Sequence, residues 1–161
     1  MVTTVAFLIA RALWWEGPAY VIAIGVLLGQ LIVGWTNDLH DYADDLKHNR
    51  TAKPLVSGLI TTKQLRTAIF VVLPMAVIVN LFGPLGLKGG AVYLLGIGFG
   101  LAYNFYFKFT ALSPLPYVIA FAALPASIVL AVDKTPPLWL MAAGSLLGVA
   151  AHIANVLKDF E

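Results

Sequence analysis

Long uninterrupted apolar runs make up most of this chain. Five of them contain no Asp, Glu, Lys or Arg and reach the length that a helix needs to cross a bilayer, roughly 20 residues for a hydrocarbon core about 30 Å thick. These runs are residues 17–37, 67–87, 89–107, 109–132 and 135–157. The pattern therefore predicts five transmembrane helices.

A sixth apolar run, residues 1–10, is too short to span a membrane. It has no basic start, and Arg11 follows the run instead of preceding it, which argues against a signal peptide. We interpret the run as the back half of a first span whose beginning is absent, with Trp14, Trp15 and Tyr20 at a membrane interface. The alternative is a short helix that lies in the interface.

Composition agrees with a membrane protein. Hydrophobic residues make up 60% of the chain, charged residues 11%, and the mean hydropathy is +0.88, whereas a soluble domain has about 25% charged residues. These values exclude a disordered chain, a coiled coil and a nucleic-acid-binding module. We expect an all-α fold, a polytopic transmembrane helical bundle with five complete spans and one partial N-terminal span, as a single membrane domain over residues 1–161.

Glycines recur four residues apart within the predicted spans. The pairs are Gly25 with Gly29, Gly96 with Gly100, and Gly144 with Gly148. Small residues one turn apart let two helix backbones approach closely, so these pairs predict helix contacts inside the bundle. The chain has no cysteine, which removes disulfides, zinc–thiolate sites and thiol catalysis.

The cations are divided unequally between the two faces that the spans define. The richer face has seven: Lys47, Arg50, Lys53, Lys63, Arg66, Lys108 and Lys158. The other face has three: Arg11, Lys88 and Lys134. Short loops rich in Lys and Arg stay in the cytoplasm, so the richer face is predicted to be cytoplasmic in an integral, multi-pass protein.

Nine of the eighteen charged residues fall within residues 38–66. Asn37, Asp41 and Asp45 are spaced i, i+4, i+8, and Asp38 precedes Asp41 and Asp45 by three and seven residues, so a helix would place these side chains on one side. Unpartnered, such carboxylates would repel by about 1 kcal/mol per pair in water and about 4 kcal/mol at an effective dielectric near 20. The segment is either a solvated connection or a cation site.

Hard oxygen ligands of this kind suit Mg²⁺, which accepts one or two carboxylates together with substrate phosphates. The C-terminal end of a helix, where the segment begins, also favours a cation. Asn155 and Asp159 repeat the Asn-x-x-x-Asp spacing four spans later, and an even number of spans places both copies on the same face. Groups that could bind an anion on that face are Arg50, Lys53, Lys108 and, one turn deeper, Tyr103.

Three motifs resemble those of the UbiA superfamily of intramembrane prenyltransferases. The first aspartate-rich motif of that family is similar to Asn37-Asp38-x-x-Asp41-x-x-x-Asp45, followed by Arg50-Thr51 and Lys53-Pro54-Leu55-x-x-Gly58. Its Tyr/Lys element is similar to Tyr103-Asn104-Phe105-Tyr106-Phe107-Lys108. The opening of its second motif resembles His152-x-x-Asn155-x-x-x-Asp159. Their order agrees with the family over nearly the whole chain.

The resemblance implies a helical bundle around a lipid-open cavity and prenyl transfer from a polyprenyl diphosphate donor to a lipophilic or aromatic acceptor within the lipid bilayer. No nucleic acid is involved. The Mg²⁺ ligands it implies are Asn37, Asp38, Asp41, Asp45, Asn155 and Asp159, of which Asp41, Asp45 and Asp159 are the catalytic carboxylates. The diphosphate-binding residues it implies are Arg50, Lys53, Tyr103 and Lys108. Lys53 stands where Arg is common in the family, and Lys lacks the bidentate fork of Arg.

The reaction also needs a dry, partly aromatic cavity that keeps water from a carbocation. Candidate wall residues are Phe99, Tyr103, Phe105 and Phe121, for each of which ordinary packing is the alternative. Family members have about nine spans, so we expect the 161 residues to be a fragment of a longer protein.

Two other function classes stay open at this point. His40, Asp44 and His48 are spaced i, i+4, i+8, and imidazole with carboxylate suits transition metals, as in a divalent-metal transporter or sensor. The other is a non-catalytic membrane subunit.

Overall fold

The structure, a computed structural model, describes residues 1–14 and 16–157. In this part of the chain the backbone forms six α-helices and one π-helical segment, with no strand. The helices are α1 (Val2–Leu13), α2 (Glu16–Lys47), α3 (Thr62–Phe82), α4 (Gly86–Ala102), α5 (Pro114–Leu130) and α6 (Leu138–Leu157), and the π-helical segment is Tyr103–Phe107. The all-helical prediction is confirmed.

Four helices are long and apolar enough to cross a membrane: α2, α3, α4 with the π-helical segment, and α6. The predicted span 109–132 is represented by α5, which has only 17 residues and is about 25 Å long at 1.5 Å per residue. It begins at Pro114, where a proline is tolerated because its missing N–H would have no helical partner in the first turn. The structure thus supports four of the five predicted complete spans by length.

The N-terminal run forms a 12-residue helix that packs against α2 and α5. Ala6 and Ala10 are fully buried in this contact. Trp14 is half-buried at the turn into α2 and Tyr20 is exposed, while Trp15 lies outside the described residues. A helix of this length fits both interpretations of the run.

Successive helices pack against one another from α1 to α6, and α2 with α4 and α1 with α5 add further contacts. Helix α5 is central, with its residues 123–129 all buried. Over the described residues, α6 packs mainly on α5, and its His152 ring also contacts Tyr103 of the π-helical segment. The end of the bundle that holds the C-terminus of α2 is called the aspartate end below, and the starts of α3 and α5 and the end of α6 lie at the same end.

The predicted glycine pairs lie at helix contacts. A Cβ atom on Gly144 would collide with the Phe121 carbonyl oxygen, and one on Gly148 would lie 2.5 Å from the Tyr117 carbonyl oxygen. A Cβ atom on Gly29 would collide with the Tyr93 hydroxyl. The absence of a side chain at these positions is what lets α6 approach α5, and α4 approach α2.

Polar side chains from α3, α4 and the π-helical segment donate hydrogen bonds to backbone carbonyls of α2. These bonds are Asn80 Nδ2 to Gly25 O (3.2 Å), Tyr93 OH to Val26 O (3.0 Å) and Asn104 Nδ2 to Val33 O (2.9 Å). All three donors are buried. Interhelical hydrogen bonds of this kind contribute to association where lipid supplies no hydrophobic drive, and here they fix α2 relative to its neighbours.

Candidate functional site

The centre of the candidate site is Asp41, in the last turns of α2. Asn37 Nδ2 donates to its Oδ2 atom at 3.0 Å, and His40 Nδ1 lies 3.2 Å from its Oδ1 atom. The Lys108 ammonium donates to the same Oδ2 atom at 2.5 Å. The Asp41 side chain is only 10% exposed and that of Lys108 only 12%, so this ion pair is shielded from water and joins two segments that are far apart in sequence.

Lys108 reaches Asp41 because α4 continues into the π-helical segment. Its wider turn is closed by the bond from the Lys108 N–H to the Tyr103 carbonyl, an i to i+5 hydrogen bond of 3.0 Å. Single π turns inside α-helices are frequent at functional sites. The extra residue in the turn lets Asn104 point at α2 while Lys108 lies beside Asp41.

The chain reverses immediately after α2 through a Schellman motif. The Asn49 N–H donates to Leu46 O at 3.2 Å, and the Arg50 N–H donates to Asp45 O at 3.1 Å. Asn49 has a left-handed conformation, with φ of 50°, which Asn tolerates better than most residues. The reversal brings the following cations back to the carboxylates of the helix that they have just left.

Asp45 is the most buried of these carboxylates, at 1% exposure. Lys53 Nζ lies 2.6 Å from its Oδ2 atom and Arg50 Nη1 lies 3.3 Å from its Oδ1 atom. Lys53 also lies 3.3 Å from a carboxylate oxygen of Asp38, whose side chain is 33% exposed. Leu55, buried at 5% exposure, anchors the segment two residues after Lys53.

The ammonium of Lys53 stays charged in this setting. Its partial burial alone would lower the pKa, but the hydrogen bond and charge of Asp45, together with Asp38, outweigh burial and raise the pKa of Lys53 above its ordinary value. Lys53 is therefore a permanent cation at neutral pH.

An apolar cavity of about 190 Å³ lies between α2, α4 and α5. It extends from Tyr103 and Asn104 at the aspartate end to Tyr93, and Phe121 lines it from α5. Of the four predicted wall residues, Tyr103 and Phe121 are in the lining. Phe99 is half-buried but does not line the cavity. Phe105 is 52% exposed, and its ring is edge-on to that of His40, 5.5 Å away between centroids. The structure therefore does not place these two residues in the cavity wall.

Two residues that the sequence analysis left out of the site surround Tyr103. The Tyr117 ring is edge-on to it at 4.9 Å between centroids, and the His152 ring at 5.9 Å. His152 Nε2 lies 3.3 Å from Ser113 Oγ, whereas its buried Nδ1 atom has no hydrogen-bond partner within residues 1–14 and 16–157. In the sequence Tyr117 looks like an ordinary apolar-helix position, whereas His152 opens the second motif but was given no role in the site.

The second half of the predicted site lies at the end of α6. Asn155 is half-buried in the final turns of this helix, and Asp159 lies outside the described residues. The described parts of α2 and α6 do not contact one another. The role of Asn155 and Asp159 as ligands stays a prediction.

The donor chemistry of the first half fits Mg²⁺. Over residues 1–14 and 16–157, no three side chains of His, Cys, Asp or Glu come together as a metal cage. Mg²⁺ does not require one, because it commonly binds one or two carboxylates, several waters and substrate phosphates. The side-chain oxygens of Asn37 and Asp41, one turn apart on α2, satisfy that requirement.

The alternative histidine site is not formed. His40 Nδ1 contacts Asp41, whereas His48 Nδ1 contacts Asp44, 2.9 Å from its backbone oxygen and 3.5 Å from its carboxylate. The three residues do not cluster as ligands of one ion. Helical spacing alone suggested the site, and the side chains turn to different partners.

A polytopic helical bundle with buried carboxylate–cation pairs at one end and an apolar cavity beside them defines an integral membrane protein with a polar site at one end of the bundle. The family model of the UbiA prenyltransferase family matches residues 1–161. The chain therefore belongs to this family, whose members carry out prenyl transfer in membranes. Comparison with curated proteins and with solved structures gives no match.

Proposed function

We propose that this protein transfers a prenyl group from a polyprenyl diphosphate to a lipophilic or aromatic acceptor within the bilayer, in a reaction that depends on Mg²⁺. The observation that carries the proposal is the arrangement at the aspartate end. Three cations, Arg50, Lys53 and Lys108, are held by buried carboxylates at the same end of the bundle as the aromatic part of an apolar cavity.

In this proposal, polar residues bind the diphosphate end of the donor and the apolar cavity binds its prenyl end. Asn37, Asp38 and Asp41 would hold Mg²⁺ together with Asn155 and Asp159, and the metal when bound supplies charge that stabilises the departing diphosphate. Lys108, Lys53 and Arg50 lie where they could neutralise phosphate oxygens, and Tyr103 could donate a hydrogen bond. The apolar cavity excludes water from the carbon end.

The aspartate end is proposed to face the cytoplasm. The bias of seven cations against three between the two faces supports this orientation.

The test is binding of an allylic polyprenyl diphosphate to the purified protein in detergent, with and without Mg²⁺. Asp41→Asn removes a charge but keeps the shape, so it should weaken Mg²⁺-dependent binding by at least the roughly 10–100-fold that loss of an outer-sphere partner costs a metal site. Asp44→Asn is the matched control, because Asp44 lies on the same helix with its side chain 64% exposed.

Substitution of His48 by Ala tests the alternative histidine site. It should leave Mg²⁺-dependent binding intact, because His48 contacts Asp44 and not Asp41. Binding that needs no divalent cation, or that survives Asp41→Asn unchanged, would contradict the proposed function.

A further inference from the structure

Asp45 is contacted by two formal cations and is the most buried of the described candidate ligands, whereas Asp41 has one formal cation, Lys108, and a side chain that is 10% exposed. Each oxygen has its own cationic partner, Lys53 at 2.6 Å and Arg50 at 3.3 Å, and the side chain is 1% exposed. Asp38, which shares Lys53, keeps a third of its side chain exposed. A ligand that must also meet a hydrated ion needs accessible oxygens, and Asp45 offers the fewest.

The backbone reinforces this arrangement. The carbonyl of Asp45 accepts the Arg50 N–H that closes the Schellman turn, so Asp45 holds the returning chain through its main chain and its side chain together. Lys53 follows three residues after Arg50, and the Lys53 carbonyl accepts backbone N–H groups of the next turn, from Val56 and Ser57 at 3.0 Å each. Asp45 thus contacts the segment that carries the two cations at three points: its carbonyl accepts the Arg50 N–H, and its carboxylate contacts the Arg50 and Lys53 side chains.

We infer that Asp45 is a positioning residue that orients Lys53 and Arg50 toward the diphosphate, and that it is not a ligand of the metal. This inference rests on the proposed function and changes the role of Asp45 in the first aspartate-rich motif from metal ligand to positioning residue. Removal of the Asp45 charge would leave two cations without their common partner, and they would lose the orientation that lets them bind an anion side by side.

The experiment separates the affinity for metal from the affinity for diphosphate. The probe is farnesyl thiodiphosphate, an unreactive allylic analogue, titrated at saturating Mg²⁺; in a second series Mg²⁺ is titrated at a fixed occupancy of the probe. Asp45→Asn should raise the Kd of the probe about tenfold while the half-saturating Mg²⁺ concentration stays within about twofold of the wild type. Asp41→Asn should raise the half-saturating Mg²⁺ concentration.

A double-mutant cycle with Lys53 tests whether Asp45 acts through that cation. If it does, Asp45→Asn with Lys53→Gln should weaken probe binding no more than the worse single variant, because both remove the same interaction. Asp44→Asn, an exposed neighbour, should change neither titration. Lys53→Gln keeps the Asp45–Arg50 pair and serves as the informative variant should Asp45→Asn fail to fold; it should show the same loss of probe affinity with unchanged Mg²⁺ dependence.

Three results would overturn the inference. One is a rise in half-saturating Mg²⁺ in Asp45→Asn that matches that of Asp41→Asn, and another is multiplicative losses in the double variant; both leave the proposed function standing. The third is Lys53→Gln with unaltered probe affinity. A wild-type protein that binds no probe in the presence of Mg²⁺ would overturn the proposed function as well.

Discussion

At the scale of single residues, buried polar side chains decide how the helices register with one another. Tyr93 illustrates this, because its hydroxyl is buried deep in the bundle and donates to the Val26 carbonyl at 3.0 Å. Asn80 makes a similar bond to Gly25 one residue earlier on α2. Such bonds cannot be exchanged for water inside a bilayer, so they specify one alignment of α3 and α4 against α2.

We predict that Tyr93→Phe destabilises the protein modestly without changing its fold. The phenyl ring keeps the packing and only the hydrogen bond is lost, which in membrane proteins costs about 0.6 kcal/mol on average and at most about 1.7 kcal/mol. Equilibrium unfolding in mixed detergent micelles measures the difference. Tyr106→Phe, at a ring that is 76% exposed, is the control and should cost nothing measurable; an equal loss in both variants would contradict the argument.

Residue spacing predicted which candidate side chains share one side of α2, because a regular helix places residues four apart on the same face. In the structure Asn37 Nδ2 donates to Asp41 Oδ2. Their role as metal ligands stays a prediction. The partnership of Asp41 with Lys108 could not be predicted in the same way. It depends on the one-residue shift of the π turn at Tyr103, which no periodicity reveals.

At the scale of helices, contacts between α5 and α6 depend on glycines whose backbones nearly touch. We predict that Gly148→Val destabilises the protein by about 1–3 kcal/mol, the usual cost of overpacking, because a Cβ atom there would lie 2.5 Å from the Tyr117 carbonyl oxygen. Loss of folded protein in detergent on heating provides the measurement.

Gly98→Val is the matched control for that variant. Gly98 also lies within a helix, but a Cβ atom there meets no atom within 4 Å. The control should be neutral or slightly stabilising, since Gly has the lower helix propensity. Equal destabilisation in both variants would show that helix propensity, and not close approach, sets the cost.

The apolar runs of the sequence located the helices better than they located helix ends. Apolar runs located every helix, since a bilayer imposes length and hydrophobicity directly. They overestimated α5, because residues 109–113 are as uncharged as a span but fold as turns before Pro114. Uncharged loop residues at a membrane interface look the same as span residues in a charge-based search.

At the scale of the whole molecule, the two ends of the bundle should lie on opposite sides of the membrane. The chain lacks cysteine, so single cysteines can be introduced without background. We predict that Ser57→Cys, exposed at the aspartate end, reacts with a membrane-impermeant maleimide only from the cytoplasmic side. Thr135→Cys, exposed between α5 and α6, should react only from the opposite side.

Intact cells and inside-out vesicles give the two halves of that measurement. The reverse labelling pattern would contradict the cytoplasmic placement of the aspartate end. Labelling of both cysteines from one side would contradict the alternation of the helices themselves.

Helix α2 has 32 residues, about 48 Å at 1.5 Å per residue, against a hydrocarbon core of about 30 Å. By length, we expect its last turns, which carry Asp41 and Asp45, to extend beyond the hydrocarbon core into the headgroup region. A polyprenyl diphosphate, the proposed donor, sits in a bilayer with its phosphates at headgroup depth and its tail among the acyl chains. The donor would therefore meet Asp41 at the depth that it already occupies. Under the proposed function, turnover should follow the mole fraction of the donor in the leaflet, so added bulk phospholipid should lower the rate, whereas a larger volume of water should not.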